Sequence, residues 1–426
     1  MRANKRGFTI TELVIVIVVI AILAAVLIPT FASLIKKANI SADTQLAKNL
    51  NTALVMDEAV NGKPDEFGEA LDAMREAGYL LANMNPTADG CYLAWEKETN
   101  QVLLVELADN SYKVLYSAKE GYGDPDDSWY FAVKDQAAAD AIKAVLANVK
   151  TEMTIMDTTV LNEELASVSG EKTIYIDASL AVDEAGPIVL DNANAKITMD
   201  LGNSKISGHN NKTLSIENVP FQLSSGELTL KGGIIEATGD MLDSDGEVMN
   251  NVIHASAGVL NVEGSEINAP DSTIAIALTG GVEATFKDTK IVANDNVVQP
   301  TGSKVLLDNC DIECGWLAIF SSSSGGTAAE VTIKGGTYHA TISNLLGVHG
   351  GVITVEDGTF NCDTASKTLK FYNITGGKIV LKGGTFNGVA FANLDEAAIR
   401  AMCNLSDCSK GITVEQVNGA WEITVK

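Results

Sequence analysis

The chain has 426 residues, room for two or three domains at about 100–200 residues each. Apolar residues make up 46% of it, which supplies a packed core and excludes global disorder. Lys and Arg number 30 against 55 Asp and Glu, a net charge of −25, and a surface that acidic repels phosphate backbones, so no nucleic-acid partner is expected.

The charge is unevenly spread. Arg2, Lys5, Arg6, Lys36 and Lys37 stand against Glu12 alone in residues 1–38, which carry +4, and the remainder carries −29. A basic stretch, Met1 to Gly7, precedes Phe8-Thr-Ile-Thr-Glu12, and 16 consecutive apolar residues run from Leu13 to Ile28. As a helix, Phe8 to Ile28 is about 31 Å long, matching the roughly 30 Å hydrocarbon core of a bilayer. The basic residues hold the N-terminus in the cytoplasm and direct the bulk of the chain outward. A cleaved secretory signal is the alternative, but its apolar region has about 7–15 residues and ends in a small-residue cleavage site. Here the run is longer, no A-x-A closes it, and Glu12 heads it. A carboxylate at the centre of a membrane helix costs about 2.5–3.5 kcal/mol, less near the interface, so Glu12 calls for a partner.

Gly7-Phe8-Thr9-Ile10-Thr11-Glu12 followed by an apolar helix resembles the class III signal of type IV pilins and pseudopilins. The resemblance covers about 30–50 residues, and an ordinary signal anchor is the competing reading. It implies that a prepilin peptidase cuts after Gly7 and that Phe8 is then N-methylated. It also implies that Glu12, the fifth mature residue, pairs with the N-terminal ammonium of a neighbouring subunit. Pro29 matches a position where many pilins carry a helix-interrupting proline. Elementary physics agrees: cleavage removes Arg2, Lys5 and Arg6 and creates an α-amino group four residues from Glu12. Opposite charges attract strongly in a low-dielectric helix bundle and can set subunit stagger. Pro29 lacks an N–H and crowds the Ala25 carbonyl, so the helix bends or opens there; a simple kink at the membrane surface is the second reading.

Beyond the membrane segment, Leu34, Ala38, Ala42, Leu46, Leu50 and Leu54 recur every four residues and predict a continuing helix, stopped by Asn61-Gly62 and Pro64. A second helix is predicted over 65–77, a hairpin from Cys91–Trp95 and Val102–Leu107, and a third strand over Tyr112–Tyr116. A loop follows from Gly121 to Asp127, then a helix over 134–149. Residues 30–150 thus resemble the α+β head of a pilin.

From residue 151 a different pattern begins. A short motif recurs: an apolar residue, a corner of Gly, Asp or Asn with small or polar residues, then a closing apolar residue. Its first positions are Leu201, Leu230, Val262, Phe286, Leu307, Ile333, Val355 and Leu381, spaced 21 to 32 residues apart. The closing positions are Ile206, Ile235, Ile267, Ile291, Ile312, Tyr338, Phe360 and Phe386. Short alternating strands, polar corners and a period near 25 describe a right-handed parallel β-helix over 151–392, each coil burying its apolar residues against the next. An ordinary β-sandwich is the alternative. Ile174-Tyr-Ile176 opens the first coil. Residues 393–426 form a cap, with a helix at Asp395–Met402 and a hairpin from Ile412–Val414 and Trp421–Val425.

Chemistry is sparse. Polysaccharide lyases on this fold need a cationic base, yet the only Arg after Arg75 is Arg400, in the cap. Outward acids such as Glu263, Asp288, Asp308, Asp311, Glu313 and Asp357 supply carboxylates for a hydrolase, but acids at corners are ordinarily solvated turn formers. The clusters Asp124-Pro-Asp-Asp127 and Asp240 to Glu247 lack EF-hand spacing, and no metal or cofactor is expected. Cys403 and Cys408 are close enough in sequence for a disulfide, whereas Cys310, Cys314 and Cys362 read as core thiols. The expectation is a non-enzymatic, prepilin-like subunit: leader 1–7, membrane and assembly helix 8–29, head 30–150, β-helix and cap. It begins in the cytoplasmic membrane and ends in a surface filament. Its partners are the prepilin peptidase and methyltransferase, other pilin subunits, the membrane and a glycan or host-surface ligand. The alternatives are a tethered polysaccharide-active enzyme and a pseudopilin of a secretion or DNA-uptake system.

Overall fold

The computed structural model describes residues 10–79, 86–108, 111–134, 136–155, 158–176, 180–182, 187–210, 220–239, 251–270, 274–363 and 367–426. It separates into two compact units, Met1–Thr151 and Glu152–Lys426.

In the first unit, helix α1 (Ile10–Asn61) ends at Gly62, whose φ of +94° closes it as the Asn-Gly pair predicts. The predicted apolar stripe holds only at its upper end. The buried face is Asp43, Ala47, Leu50, Asn51, Ala53 and Leu54, while Leu34, Ala38 and Ala42 are exposed. Two polar residues on that face do specific work. Asp43 accepts from the backbone N–H groups of Thr87 and Ala88 and from the Thr87 hydroxyl. Asn51 donates to the Val102 carbonyl and accepts from the Val102 N–H, both at 2.8 Å.

Helix α2 (Phe67–Glu76) buries Phe67, Ala70, Leu71, Ala73 and Met74. Strands β1 (Cys91–Glu96), β2 (Gln101–Ala108), β3 (Ser111–Tyr116) and β4 (Trp129–Val133) form an antiparallel sheet in the order β3-β2-β1-β4. β3 pairs with β2 only from Leu104 to Ala108. Beyond its end the Asn51 amide takes the place of a strand at Val102, so α1 is hydrogen-bonded into the sheet. Phe67 stacks on Tyr130 at 5.9 Å, and Trp95 lies 5.3 Å from Tyr130. The predicted loop before β4 contains a helical turn, Pro125–Ser128, capped by the Asp124 carboxylate. Helix α3 (Gln136–Val145) follows β4.

The β1–β2 turn is organised by Glu96. Burial alone would raise its carboxyl, but hydrogen bonds from the Thr99 hydroxyl and N–H and from the Glu98 and Gly123 N–H groups outweigh it and hold the group below the usual glutamate range. A depressed pKa contributes stability that is complete above the unfolded value and is lost as pH falls through the folded one. Glu96→Gln is therefore expected to cost about 2 kcal/mol at neutral pH and to flatten the acid limb of the stability curve. Urea unfolding from pH 7 to pH 3 measures both; an unchanged acid limb would remove Glu96 from this role.

The second unit is a large β region. Its strands stack in parallel, one coil on the next, in three columns. In the first, Met199, Leu230, Val262, Phe286, Leu307, Ile333, Val355 and Leu381 lie in register and buried. In the second, Ile206, Ile235, Ile267, Ile291, Ile312, Tyr338, Phe360 and Phe386 do the same. The third runs Ile188, Phe221, Ile253, Ile276, Val298, Ile319, Leu346, Leu369 and Cys403.

The motif positions thus coincide with two columns, with one correction. The residue stacked on Leu230 is Met199, not Leu201. The register shifts on either side of Gly202, so this corner holds two more residues than the motif allows. Parallel pairing also starts earlier than Ile174, since Met153 to Ile155 pair with Ile174 to Ile176.

Both ends of the stack are covered. A helix over Thr158–Ser167, unforeseen in the sequence, buries Leu161 and Leu165. Its Asn162 amide bonds the Pro187 carbonyl and the Val189 N–H, closing the open edge of the third column. At the other end a helix at Glu396–Met402 is N-capped by Asp395. A hairpin of Ile412–Val417 and Ala420–Val425 then lays its last strand antiparallel on Lys378–Leu381. Cys403 and Cys408 are separate buried thiols: Cys403 donates to the Ile399 carbonyl at 3.2 Å, and Cys408 to Gly411 at 3.9 Å. Cys310 sits at a corner where neighbouring coils place Ser265 and Thr289, and like them it donates to a carbonyl of the coil before, that of Phe286. Burial pushes its thiol up to about 11.

Candidate assembly site

The site that the sequence singles out lies at the N-terminal end of α1. Gly7 and Phe8 lie outside the described residues. Glu12 falls in the first turn of α1, where the unsatisfied N–H groups and the helix dipole favour a carboxylate. From Leu13 to Ile28 the helix is apolar on every side, and its most apolar 18-residue window is 0% buried. A helix apolar all round must be covered by lipid or by other helices. By length and composition it is long enough to cross a membrane. The helical backbone runs through Pro29 without interruption. Lys36, two turns further on, pairs with Glu106 on β2 at 2.6 Å, and its ammonium pKa is raised by that hydrogen bond and charge.

The acids weighed as catalytic candidates are dispersed. Asp288 is a left-handed corner residue whose carboxylate accepts from Asn309 at 2.6 Å. Asp357 accepts from the Gly358 N–H. Glu263 lies between Lys231 and Lys287, and Asp311 stacks on Lys290. Asp124 is occupied as a helix cap. The Asp240–Glu247 cluster lies outside the described residues. Among the described residues, no group of three or more His, Cys, Asp or Glu is placed to hold a metal ion.

Residues 2–28 match the prokaryotic N-terminal methylation motif. The chain is also 51% identical over 55 residues to the type IV wide pilus major component PilA4 of Thermus thermophilus. That similarity, at the N-terminus, covers 13% of this chain and 40% of the relative. No solved structure matches the chain. The N-terminal segment is therefore of the type IV pilin kind, carrying the class III signal on a long helix, with a large β region behind it.

Proposed function

We propose that this chain is a prepilin-like subunit: a membrane-anchored precursor, cut after Gly7, methylated at Phe8 and assembled through α1 into a type IV pilus-like filament. The helix over 8–29 anchors and assembles, residues 30–150 form the head, and 151–392 form a right-handed parallel β-helix closed by a cap over 393–426. The β-helix is displayed for structural or adhesive contact with a glycan or host surface rather than for catalysis. The observation that carries this reading is the methylation motif at 2–28 on a helix whose apolar surface is uncovered in the single chain. The β-helix assignment is supported by three columns of parallel pairing, with seven of the eight motif starts in register.

The test is mass spectrometry of the N-terminal peptide from membranes and from sheared filaments. The expected peptide begins with N-methylated Phe8; retention of Met1 in the filament fraction would sink the proposal. Display is tested separately by a glycan array, in which binding to no glycan or host-cell surface removes the adhesive part.

A further inference from the structure

The outward face of the first column carries a charge pattern that the stack itself does not require. Its strands include Lys196-Ile-Thr-Met-Asp200, Glu227-Leu-Thr-Leu-Lys231, Glu283-Ala-Thr-Phe-Lys287, Lys304-Val-Leu-Leu-Asp308 and Glu330-Val-Thr-Ile-Lys334. Alternation turns the first, third and fifth residue of each outward. One row stacks Lys196 on Glu227, and further along Glu283 on Lys304 and Lys304 on Glu330. The other stacks Asp200, Lys231, Glu263, Lys287 and Asp308 in succession. Between them runs a row that is mostly threonine. From Lys196 to Lys382 the two outer rows hold as many lysines as acids, on a chain of net charge −25.

Alternation up each row has an internal reason. Lys196 lies 3.0 Å from Glu171 and 3.8 Å from Glu227, and Lys382 lies 3.5 Å from Glu356. Neighbouring coils stabilise each other through such pairs. Alternation across the strands has none. The two rows are four residues apart, about 13 Å, beyond a screening length of about 8 Å, so either phase would serve one chain equally well. Yet of the six first-column strands charged at both ends, five carry opposite signs. The sixth, Lys378 to Lys382 at the end of the stack, carries lysine at both, and the strands starting at Val259 and Val352 are charged at one end only.

That antiphase is what a two-fold axis along the stack requires. Rotating a second copy about it lays the first row of one copy on the second row of the other. Lys196 then faces Asp200 of the second copy, Glu283 faces Lys287, Lys304 faces Asp308, and the threonine rows meet at the centre. We propose that this face docks on the same face of a second copy of this chain, the two stacks running in the same direction. A partner of one sign would meet like charge at half of these positions, and elsewhere the acidic surfaces of two copies repel. Eight coils at about 4.8 Å, some 13–16 Å across, give about 500–600 Å² per copy, a weak interface that strengthens when copies share a membrane or filament. The inference uses only the register of the β unit and is independent of the filament reading.

The test uses the full chain in detergent micelles. Thr285→Cys on the central row is treated with a short bismaleimide, since facing sheets lie about 10 Å apart; Thr337→Cys on another column is the control. Thr285→Cys is expected to give a cross-linked dimer well above the control. Adding Lys287→Glu should lower its yield about tenfold, and raising salt to about 1 M should lower it too. Reversing both ends of the strand, E283K with K287E, restores facing opposite charges while still breaking the ladder within the chain, so the dimer should return although thermal stability does not. Equal cross-linking at the two cysteines, insensitivity to salt, or no recovery in the double reversal overturns the proposal.

Discussion

Glu12→Leu is expected to leave the precursor in the membrane and to strip it from filaments. The two effects have opposite signs because, in the proposed filament, the carboxylate opposes one step and serves the other. Burying a charge in lipid is unfavourable, by up to about 2.5–3.5 kcal/mol at mid-membrane, so leucine makes insertion more favourable. In the proposed filament, assembly would lose the attraction between that carboxylate and the α-amino group that cleavage after Gly7 would create on an adjacent copy. Close charge pairs at protein interfaces are coupled by about 1.5–7 kcal/mol, so incorporation should fall at least tenfold. Immunoblots of membrane and sheared-filament fractions, with wild-type subunits present to form the fibre, measure both. Undiminished incorporation of Glu12→Leu would mean that the acid has no part in assembly. Glu12→Asp, which keeps the charge on a shorter stem, is expected to lie between the two.

The second large effect belongs to the core of the β unit. Tyr338, Phe360 and Phe386 stack face to face on successive coils, with centroids 4.8 and 4.9 Å apart, and all three are buried. Phe360 is the middle ring and touches both others. Phe360→Ala removes a buried aromatic side chain and both stacking contacts, which costs about 3–5 kcal/mol with a further contribution of about 1 kcal/mol from the stacked pairs. Thermal unfolding of the full chain should show the transition of the β unit about 10 °C lower, with the head transition unmoved. A shift of under about 2 °C would contradict the placement of this ring at the centre of the stack. Gly336→Ala tests the same coil from the backbone. At a φ of +90°, an added Cβ would collide with the carbonyl oxygen of Cys310 on the coil below, so this one methyl group should be as damaging as the lost ring.

The parts of the fold that are legible in the sequence are those where the backbone restricts residue choice. Ile333-Lys-Gly-Gly-Thr-Tyr338 announces a corner because coil contact at Gly336 leaves no room for a side chain. Gly62 announces the end of α1 for a similar reason. Leu201 misleads because apolar residues stand at both 199 and 201, and only the shift beside Gly202 selects between them. The third column escapes notice because its strands, such as Ile253–Ala255 and Leu346–His349, are short and carry no shared corner residue. Asn51 and Asn162 are equally silent. An asparagine that completes a sheet edge from a helix looks the same in sequence as one in solvent. At the N-terminus, the Gly-Phe-x-x-x-Glu spacing makes the methylation motif over residues 2–28 legible, whereas the sixteen apolar residues after Glu12 give no hint of which neighbour covers them. The opposed charges at the ends of five first-column strands could have been read directly, since Glu227 and Lys231 or Lys304 and Asp308 bracket plain alternating runs.

The antiparallel strand Ala420–Val425 gives the pile of coils a definite terminus. A parallel coil ends in a row of amide and carbonyl groups on which another such coil can grow, and an antiparallel strand laid across that row is a poor template for continuing it. Growth of further sheet from this edge is thereby blocked. Deleting the strand should expose that edge as a seed for uncontrolled sheet growth.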